Sequence, residues 1–167
     1  MPLRTPQEYK KSLRDGRQVY IWGEKVEDVV THPILSIPTE HAASLFRLNR
    51  ERKLKELFTM KSPETGDTVS RYFMVPSTPQ ELLQRGNLIE AHTAANKSVL
   101  DLLKAIGTDA LFALMVVSRD MDKALGTQYA GRVQKFFSYC RENDLDMATA
   151  QTDVKGDRSL RPHEQPD

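Results

Sequence analysis

Hydrophobic residues in this 167-residue sequence fall into short stretches with helical spacing, separated by turn-forming residues. Thr5-Pro6-Gln7-Glu8 has the composition of a helix start, because threonine can cap, proline suits the first turn and glutamate can complete a capping box. The same four residues recur at positions 78–81, where the flanking residues differ. We therefore predict two helices with the same cap, the first ending at Gly16, rather than an internal repeat.

Two other stretches have the composition of β structure. Residues 19–22 are β-branched or aromatic, Gly23-Glu24 suits a two-residue turn, and residues 25–29 can form the returning strand. This pattern predicts a small β-hairpin. Residues 62–66 form a predicted turn, and residues 70–75 a single further extended segment that Pro76 ends.

Most of the remaining sequence has helical periodicity. Residues 39–60 are predicted as one helix with a broken apolar stripe. A second helix has one apolar face and is interrupted by Gly107. Residues 110–117 are apolar on all sides, which predicts the buried centre of the domain, and a last helix ends at residues 141–144. The apolar positions of the three amphipathic helices are, in order, Leu45, Phe46, Leu54, Leu57 and Phe58; Val99, Leu102, Leu103 and Ile106; and Tyr129, Val133, Phe136, Phe137 and Cys140.

The last nineteen residues differ from the rest in composition. Residues 149–167 are polar and turn-forming, and Leu160 is the one large aliphatic residue after Val154. Such a stretch cannot pack a core, so we predict either a disordered tail or a linker into a further domain. The expected organisation is a helical domain over residues 1–148, followed by a polar segment over residues 149–167.

Composition excludes several classes of function. The chain has 24 basic and 23 acidic residues, so charge gives no reason to expect nucleic acid or an anionic membrane as a partner. A single cysteine, Cys140, excludes an internal disulfide framework. The apolar run over residues 110–117 is far shorter than the roughly 20 residues that cross a bilayer. With no apolar signal-peptide core near Met1, we expect a cytoplasmic protein.

Several sequence segments, taken in order along the chain, resemble those of one protein family. They are YKKSLRDGR at residues 9–17, VYIWGEKVEDVVTHP at 19–33, SPETGD at 62–67, SRYFMVPSTPQEL at 70–82 and TDVKGDRSLRPHEQ at 152–165. Together they resemble the 4-hydroxyphenylacetate 3-hydroxylase / 4-hydroxybutyryl-CoA dehydratase family over nearly the whole chain.

The resemblance implies a mainly α fold with a small β-hairpin, as the N-terminal helical domain of an acyl-CoA-dehydrogenase-like flavoprotein. Family members add a β middle domain and a C-terminal four-helix bundle, form homo-oligomers, and bind FAD between domains and subunits. The hydroxylase branch takes reduced flavin from a separate reductase. The dehydratase branch uses FAD with a [4Fe–4S] cluster. The expected partners are therefore the remaining domains or a complementary subunit, and the chain alone is expected to be inactive.

The resemblance also allows the chemistry of each branch to be tested by position. The hydroxylase motif R-[ST]-P-D-Y, with its aspartate at Asp109, places Ile106 and Ala110 where the phenol-binding arginine and tyrosine stand. A substrate-contacting histidine corresponds to Thr149. The cysteine pair of the dehydratase branch corresponds to Asp101 and Ala105, so no iron–sulfur cluster is expected. We interpret the chain as a divergent member.

The flavin segment of the family is better preserved. The resemblance assigns cofactor contacts to Thr149, Ala150, Gln151, Lys155, Gly156, Asp157 and Arg158. An arginine suits a pyrophosphate or an isoalloxazine oxygen, and a glycine lets the backbone approach closely. The alternative is that Asp157-Arg158 is an ordinary surface ion pair.

The other reactive residue types favour structural roles. None of His32, His41, His92 and His163 pairs at helical spacing with a carboxylate between, so a helical metal site has no support. His32 is expected to order a turn, His92 to be packed or solvated, and Cys140 to pack in the core. Tyr20 and Trp22 are expected to pack on the helices or on a neighbouring domain, rather than to form an exposed partner patch.

Three functions remain open at this point. The leading one is the N-terminal domain or subunit of an FAD-dependent aromatic hydroxylase-like oxidoreductase or a 4-hydroxyacyl-CoA dehydratase-like enzyme. The second is a truncated product without activity. The third is a stand-alone helical module that binds a partner or a small acyl or aromatic ligand without catalysis.

Overall fold

A computed structural model describes residues 3–97, 104–148, 156–157 and 159–165. In this part of the chain, six helices and two short hairpins follow one another. The helices are α1 (Pro6–Ser12), α2 (Ser36–Leu48), α3 (Lys55–Phe58), α4 (Pro79–Ala95), α5 (Lys104–Leu125) and α6 (Tyr129–Glu142). The strands are β1 (Val19–Ile21), β2 (Glu24–Val26), β3 (Thr59–Lys61) and β4 (Thr68–Ser70), and 3-10 turns lie at Arg71–Phe73 and Pro162–Glu164.

Both predicted capping boxes form. The Glu8 backbone N–H donates to Thr5 Oγ1 over 3.1 Å, and the Thr5 N–H donates back to the Glu8 carboxylate over 2.7 Å. Thr78 and Glu81 repeat this exchange at the start of α4. Each box satisfies backbone N–H groups that a helix start leaves without an internal partner. The first helix ends at Ser12 rather than at Gly16, which lies in the following turn.

The predicted first hairpin is present, but its turn is one residue earlier than expected. β1 and β2 are antiparallel with Ile21 opposite Glu24, so the turn residues are Trp22 and Gly23. Both have positive φ, 50° at Trp22 and 86° at Gly23, as a type I′ turn requires. Trp22 is therefore a large side chain in a backbone conformation that favours asparagine or glycine.

The single helix predicted over residues 39–60 is wrong. α2 begins earlier, at Ser36, and ends at Leu48, and a turn precedes the short α3. Residues 49–53 are all polar, and residues 50–53 are exposed. Breaking the helix there lets Phe58 return to the same hydrophobic cluster as Leu45 and Leu48.

A second hairpin was not predicted. β3 pairs antiparallel with β4, with Thr59 opposite Ser70, around the turn that was predicted at residues 62–66. The segment expected to be extended over residues 70–75 is instead a 3-10 turn over Arg71–Phe73. Arg71 fixes this arrangement by donating to the carbonyl oxygens of Glu56 and Thr59.

Helices α5 and α6 form an antiparallel pair closed by a short turn. Asp122 on α5 accepts hydrogen bonds from the Thr127 hydroxyl and from the Tyr129 and Ala130 backbone N–H groups at the start of α6. These bonds, the Thr127 hydroxyl first, lower the pKa of Asp122. Asp122 thus caps the next helix and fixes the angle between the two.

The interior consists of three hydrophobic clusters. The first unites α2, α3, α4 and α5, the second joins α5 and α6, and the third packs α1 on α2. Neighbouring residues of the 3-10 turn belong to different clusters, Tyr72 to the first and Phe73 to the second. The 3-10 turn therefore connects the first and second hydrophobic clusters.

The apolar run at residues 110–117 is not the buried centre of the domain. Leu111 and Met115 are buried, but Leu114, Val116 and Val117 are each more than half exposed. Of the last predicted apolar face, Phe137 and Cys140 are buried, Val133 packs partly against them, and Tyr129 and Phe136 are exposed. In the second predicted stripe Ile106 is exposed, and Val99, Leu102 and Leu103 lie outside the described residues.

Gly107 does not interrupt a helix, because it lies inside α5. A Cβ atom at this position would come within 2.7 Å of the Met147 Cβ and 2.8 Å of the Met147 carbonyl oxygen. The glycine is needed for the close approach of the segment that follows α6.

We expect Trp22→Asn to raise the free energy of unfolding by about 1 kcal/mol, because asparagine adopts positive φ at lower cost. Trp22→Val is the control, since it also removes the aromatic ring but is β-branched, and it should destabilise the chain. Denaturant unfolding measures both. A loss of stability in both variants would show that the indole itself stabilises the fold.

We expect Gly107→Ala to lower the free energy of unfolding by about 1–3 kcal/mol, since the methyl group meets the Met147 backbone. Gly131→Ala is the matched control in α6, where a Cβ would meet nothing within 4 Å. That change should stabilise by about 0.5–1 kcal/mol through helix propensity. Equal effects in a thermal unfolding assay would contradict the packing argument.

Candidate functional site

Two of the seven predicted cofactor-binding residues, Gly156 and Asp157, lie in the described part of the chain. Both are exposed. The other five, Thr149, Ala150, Gln151, Lys155 and Arg158, lie outside the described residues. The geometry of the predicted flavin segment is therefore given by Gly156, Asp157 and residues 159–165.

This terminal loop is held together by one side-chain amide. Gln165 Nε2 donates to the carbonyl oxygens of Asp157 and Leu160 over 2.6 and 3.2 Å, and Gln165 Oε1 accepts from the Asp157 N–H over 2.9 Å. A Cβ at Gly156 would lie 2.1 Å from Gln165 Oε1. Only glycine leaves the amide in place, so Gly156 and Gln165 together fix the loop.

Ser159 orders the carboxylate of Asp157. Ser159 donates to Asp157 Oδ1 from its hydroxyl over 2.7 Å and from its backbone N–H over 2.9 Å. The hydroxyl first, then the N–H, lowers the pKa of Asp157. The loop thus presents an exposed carboxylate acceptor that Ser159 holds in place.

A second feature is the outward face of α5. Ile106, Ala110, Ala113, Leu114, Val117 and Met121 follow helical spacing on one side of this helix and are exposed or half-buried. We call this set the α5 strip. It contains Ile106 and Ala110, the positions that the resemblance assigns to phenol binding, and neither side chain can donate a hydrogen bond. The third such position, Thr149, lies outside the described residues.

The aspartate of the same motif has a structural partner. Asp109 Oδ1 accepts a hydrogen bond from Arg85 Nε over 2.9 Å, and it lies 2.7 Å from Arg85 Nη2 in an ion pair. Arg85 is 5% exposed and also donates to the carbonyl oxygens of Tyr72 and Ala105 and to the Thr108 hydroxyl. Its guanidinium carbon lies 5.1 Å from the centre of the Phe112 ring. Arg85 therefore locks α4 to the part of α5 that carries the strip.

Sequence reasoning missed three buried cations in the described part of the chain, Arg85, Lys104 and Arg141. Lys104 is fully buried and binds Asp144 over 2.5 Å, with Asp146 at 3.8 Å. Hydrophobic periodicity gives no weight to charged residues, so it cannot find them. The available signal for Lys104 is its position between apolar neighbours, Leu102, Leu103 and Ala105.

The dehydratase cluster positions do not offer iron ligands where they are described. Ala105 is buried in the first hydrophobic cluster, and a methyl group cannot bind iron. Asp101 lies outside the described residues. Within the described ranges, no three histidine, cysteine, aspartate or glutamate side chains are grouped so as to hold a metal ion.

The histidines and the cysteine have the structural roles expected of them where those are described. His32 Nδ1 accepts from the Ile34 and Leu35 N–H groups and so orders its turn. His92 is packed, with the Tyr72 hydroxyl 3.1 Å from its Nδ1. Cys140 lies in the second hydrophobic cluster, where burial raises the pKa of its thiol.

The aromatic residues of the first hairpin do not pack on the helices of this chain. Trp22 is 87% exposed and Tyr20 is 58% exposed. Of the two expected packing surfaces, the chain's own helices do not cover these side chains, and packing on a neighbouring domain stays a prediction. No described helix is both long and apolar enough to span a bilayer.

The fold and these surfaces define a helical domain that presents an apolar strip and a polar loop outward. The chain belongs to the family described as 4-hydroxyphenylacetate 3-hydroxylase N-terminal, whose sequence pattern matches residues 5–167. The expected family membership is thereby confirmed.

Individual relatives come from both branches. The chain is 30% identical over 166 residues to a 4-hydroxybutyryl-CoA dehydratase/vinylacetyl-CoA-Delta-isomerase of Clostridium aminobutyricum, covering 99% of this chain and 34% of the relative. It is 28% identical to the oxygenase component of a 4-hydroxyphenylacetate 3-monooxygenase from Geobacillus, covering 100% of this chain and 33% of the relative.

Solved structures give the same result. An archaeal 4-hydroxybutyryl-CoA dehydratase from N. maritimus superimposes with a TM-score of 0.85 at 27% identity, over 99% of this chain and 33% of that one. The oxygenase component HpaB, complexed with FAD and 4-hydroxyphenylacetate, superimposes with a TM-score of 0.77 at 25% identity, over 98% of this chain and 33% of that one. The chain thus spans about a third of the length of its relatives.

We expect Arg85→Met to lower the free energy of unfolding by roughly 3 kcal/mol, because it removes the hydrogen bonds that buried oxygen atoms of Tyr72, Ala105 and Thr108 accept from Arg85. Asp109→Asn removes the ion pair by neutralising its exposed carboxylate. This change should lower the free energy of unfolding by less than about 1 kcal/mol. Denaturant unfolding separates the two. Equal losses would mean that the ion pair, and not the buried hydrogen bonds, holds α4 to α5.

Proposed function

We propose that this chain is the N-terminal domain or subunit of an FAD-dependent enzyme of the hydroxylase/dehydratase family and is inactive alone. The proposal rests on one observation. The whole chain matches about one third of the length of relatives from both branches. In this proposal residues 1–148 form the helical domain, and residues 149–167 lead into a β middle domain of an acyl-CoA-dehydrogenase-like assembly, with a C-terminal four-helix bundle beyond it.

The α5 strip supports an interface with that assembly. Leu114 and Val117 are 51% and 52% exposed, and a contiguous apolar surface on a helix marks an interaction site. The strip begins at Ile106 and Ala110, so the partner that covers it also closes the region corresponding to the substrate side. Trp22 and Tyr20 offer a second apolar contact, for a neighbouring domain or another copy in a homo-oligomer.

The terminal loop is the part proposed to face the flavin. When bound, FAD supplies the redox chemistry of the enzyme. Gly156 lets the backbone approach the cofactor, and Asp157 provides a fixed acceptor oxygen. Thr149, Ala150, Gln151, Lys155 and Arg158 complete the proposed contacts, with the arginine suited to a pyrophosphate or a ring oxygen. A flavin reductase is a further partner if the reaction consumes reduced flavin.

The reaction itself departs from both named branches. HpaB has been crystallised with 4-hydroxyphenylacetate, but Ile106 and Ala110 cannot bind a phenol oxygen by hydrogen bonds. Ala105 cannot bind a cluster iron, so the dehydratase arrangement is not reproduced either. We infer a divergent member whose substrate side is apolar at these positions.

One observation favours the alternative of a ligand-binding module without catalysis. A groove of about 490 Å³ lies between the β3–β4 hairpin and the α5–α6 pair, lined by Phe73, Met115 and Phe137 with Arg119 and Arg141. Its size suits a small acyl or aromatic acid. Binding of such a ligand by the isolated chain, without any partner, would favour the module.

The test is to purify this polypeptide from its natural source under native conditions. The length of the chain that contains it and the identity of any bound subunit are then determined. We expect a longer chain or a complex that contains a β-rich middle domain and is yellow with FAD. The recombinant chain alone should bind no FAD, because one loop cannot enclose an isoalloxazine. Tight flavin binding by the isolated chain would contradict this.

Self-association tests the interface separately. The isolated chain should form dimers or larger species in light scattering, because the α5 strip is uncovered. The double variant Leu114→Lys/Val117→Lys should be monomeric. Gln7→Lys, an exposed change on α1, should behave as the parent chain does. A parent chain that stays monomeric over a wide concentration range would count against the strip as an interface.

A further inference from the structure

A second concave region lies away from the α5 strip and the terminal loop. It is a groove of about 570 Å³ between the end of α2, the start of α3 and the β3–β4 hairpin. This volume is within the range of small-molecule sites. The side chains that matter for its chemistry are Asn49, Arg50, Lys55, Lys61, Asp67 and Thr68.

Asn49 is the unusual residue of this groove. It is 1% exposed, and within the described part of the chain neither its amide nitrogen nor its amide oxygen has a hydrogen-bond partner. A buried amide without partners costs about 1–3 kcal/mol. The Asn49 backbone N–H donates to the Leu45 carbonyl oxygen at the end of α2. The side chain lies at the groove lining with both polar atoms unpartnered.

The charge around the groove is strongly one-sided. Residues 47–55 contain five basic residues and one acidic residue, whereas the whole chain has a net charge of only +1. Three cations line the groove, Arg50, Lys55 and Lys61, against one carboxylate, Asp67, in that lining. Arg50 is held in place, because its Nη2 donates to the Leu3 carbonyl oxygen over 2.6 Å.

The end of α2 itself carries partial negative charge, which opposes an anion. This opposition is reduced, since the carbonyl oxygens of Leu45, Arg47 and Leu48 already accept hydrogen bonds from Asn49, Arg50 and Glu51. The side-chain cations then decide the sign of the potential in the groove.

We propose that this groove binds a small phosphate-bearing anion. Arg50, Lys55 and Lys61 provide the charge, and the Asn49 amide and the Thr68 hydroxyl provide hydrogen bonds. A phosphate ester with several acceptor oxygens uses these donors better than a single carboxylate does. The carbonyl oxygen of Asn49 accepts from a hydroxyl or amino group on the same ligand. This site is independent of the proposed function, because it shares no residue with the α5 strip or the terminal loop.

Titration of the isotope-labelled 167-residue chain with inorganic pyrophosphate tests the site. We expect saturable NMR shifts at the Asn49 side-chain amide and the Thr68 N–H. Arg50→Gln and Lys61→Gln should each weaken binding about tenfold, the effect of losing one charge-assisted hydrogen bond. The control Arg52→Gln/Lys53→Gln removes two charges from the same basic run, at residues outside the groove lining, and it should change affinity less than twofold. Equal losses in the control, or no saturation at millimolar pyrophosphate, would overturn the proposal.

Asn49→Leu separates binding from folding. Because the amide lacks a described partner, its replacement by an apolar side chain of similar size should leave thermal stability unchanged or higher. The affinity for pyrophosphate should nevertheless fall. A variant that binds pyrophosphate as the parent does would overturn the role of Asn49, and so would a large loss of stability, which would assign the amide to the fold.

Discussion

The architecture depends on a lysine placed between two of the hydrophobic clusters. The Lys104 ammonium lies 4.8 Å from the centre of the Phe46 ring and 5.7 Å from that of Phe73, which belong to different clusters. Burying a charge is costly unless it is paired, and Asp144 provides the pairing carboxylate. Asp144 follows α6 with a positive φ of 47°, a conformation that usually selects glycine. The unfavourable φ of Asp144 is tolerated because its carboxylate must lie there to pair with Lys104.

The same constraint explains why one side of α5 is exposed. Lys104, Thr108, Leu111 and Met115 turn inward, and Arg85 fixes the helix from the other side of the core. With these residues facing the interior, the opposite face must point outward, and that face is apolar. An exposed apolar strip is thus a consequence of how the buried cations orient the helix. The same surface contains Ile106 and Ala110, the positions that the family resemblance assigns to substrate binding. It is also the surface proposed to contact a partner.

The fold of this domain is preserved at low sequence identity, 30% to the dehydratase relative and 28% to the oxygenase relative. The scaffold superimposes on members of both branches over almost the whole chain, while Ile106, Ala110 and Ala105 lack the chemistry that the resemblance assigns there. Packing tolerates such changes, because small apolar side chains fit the start of α5 without new buried polar groups. A shared fold therefore does not carry a shared reaction, and the reaction must be argued from the residues.

The sequence by itself determined the local features: both capping boxes, the first hairpin, the turn at residues 62–66 and the structural roles of His32 and Cys140. Each rests on interactions between residues close in sequence or on a residue type's general preference for burial. Tertiary structure alone decided the break after Leu48, the β3–β4 pairing, the insertion of Gly107 against Met147 and the orientation of α5. It also buried Arg85 and Lys104 and left Asn49 without a described partner. These features depend on contacts between distant segments, and periodicity along one segment contains no information about what the other segment supplies.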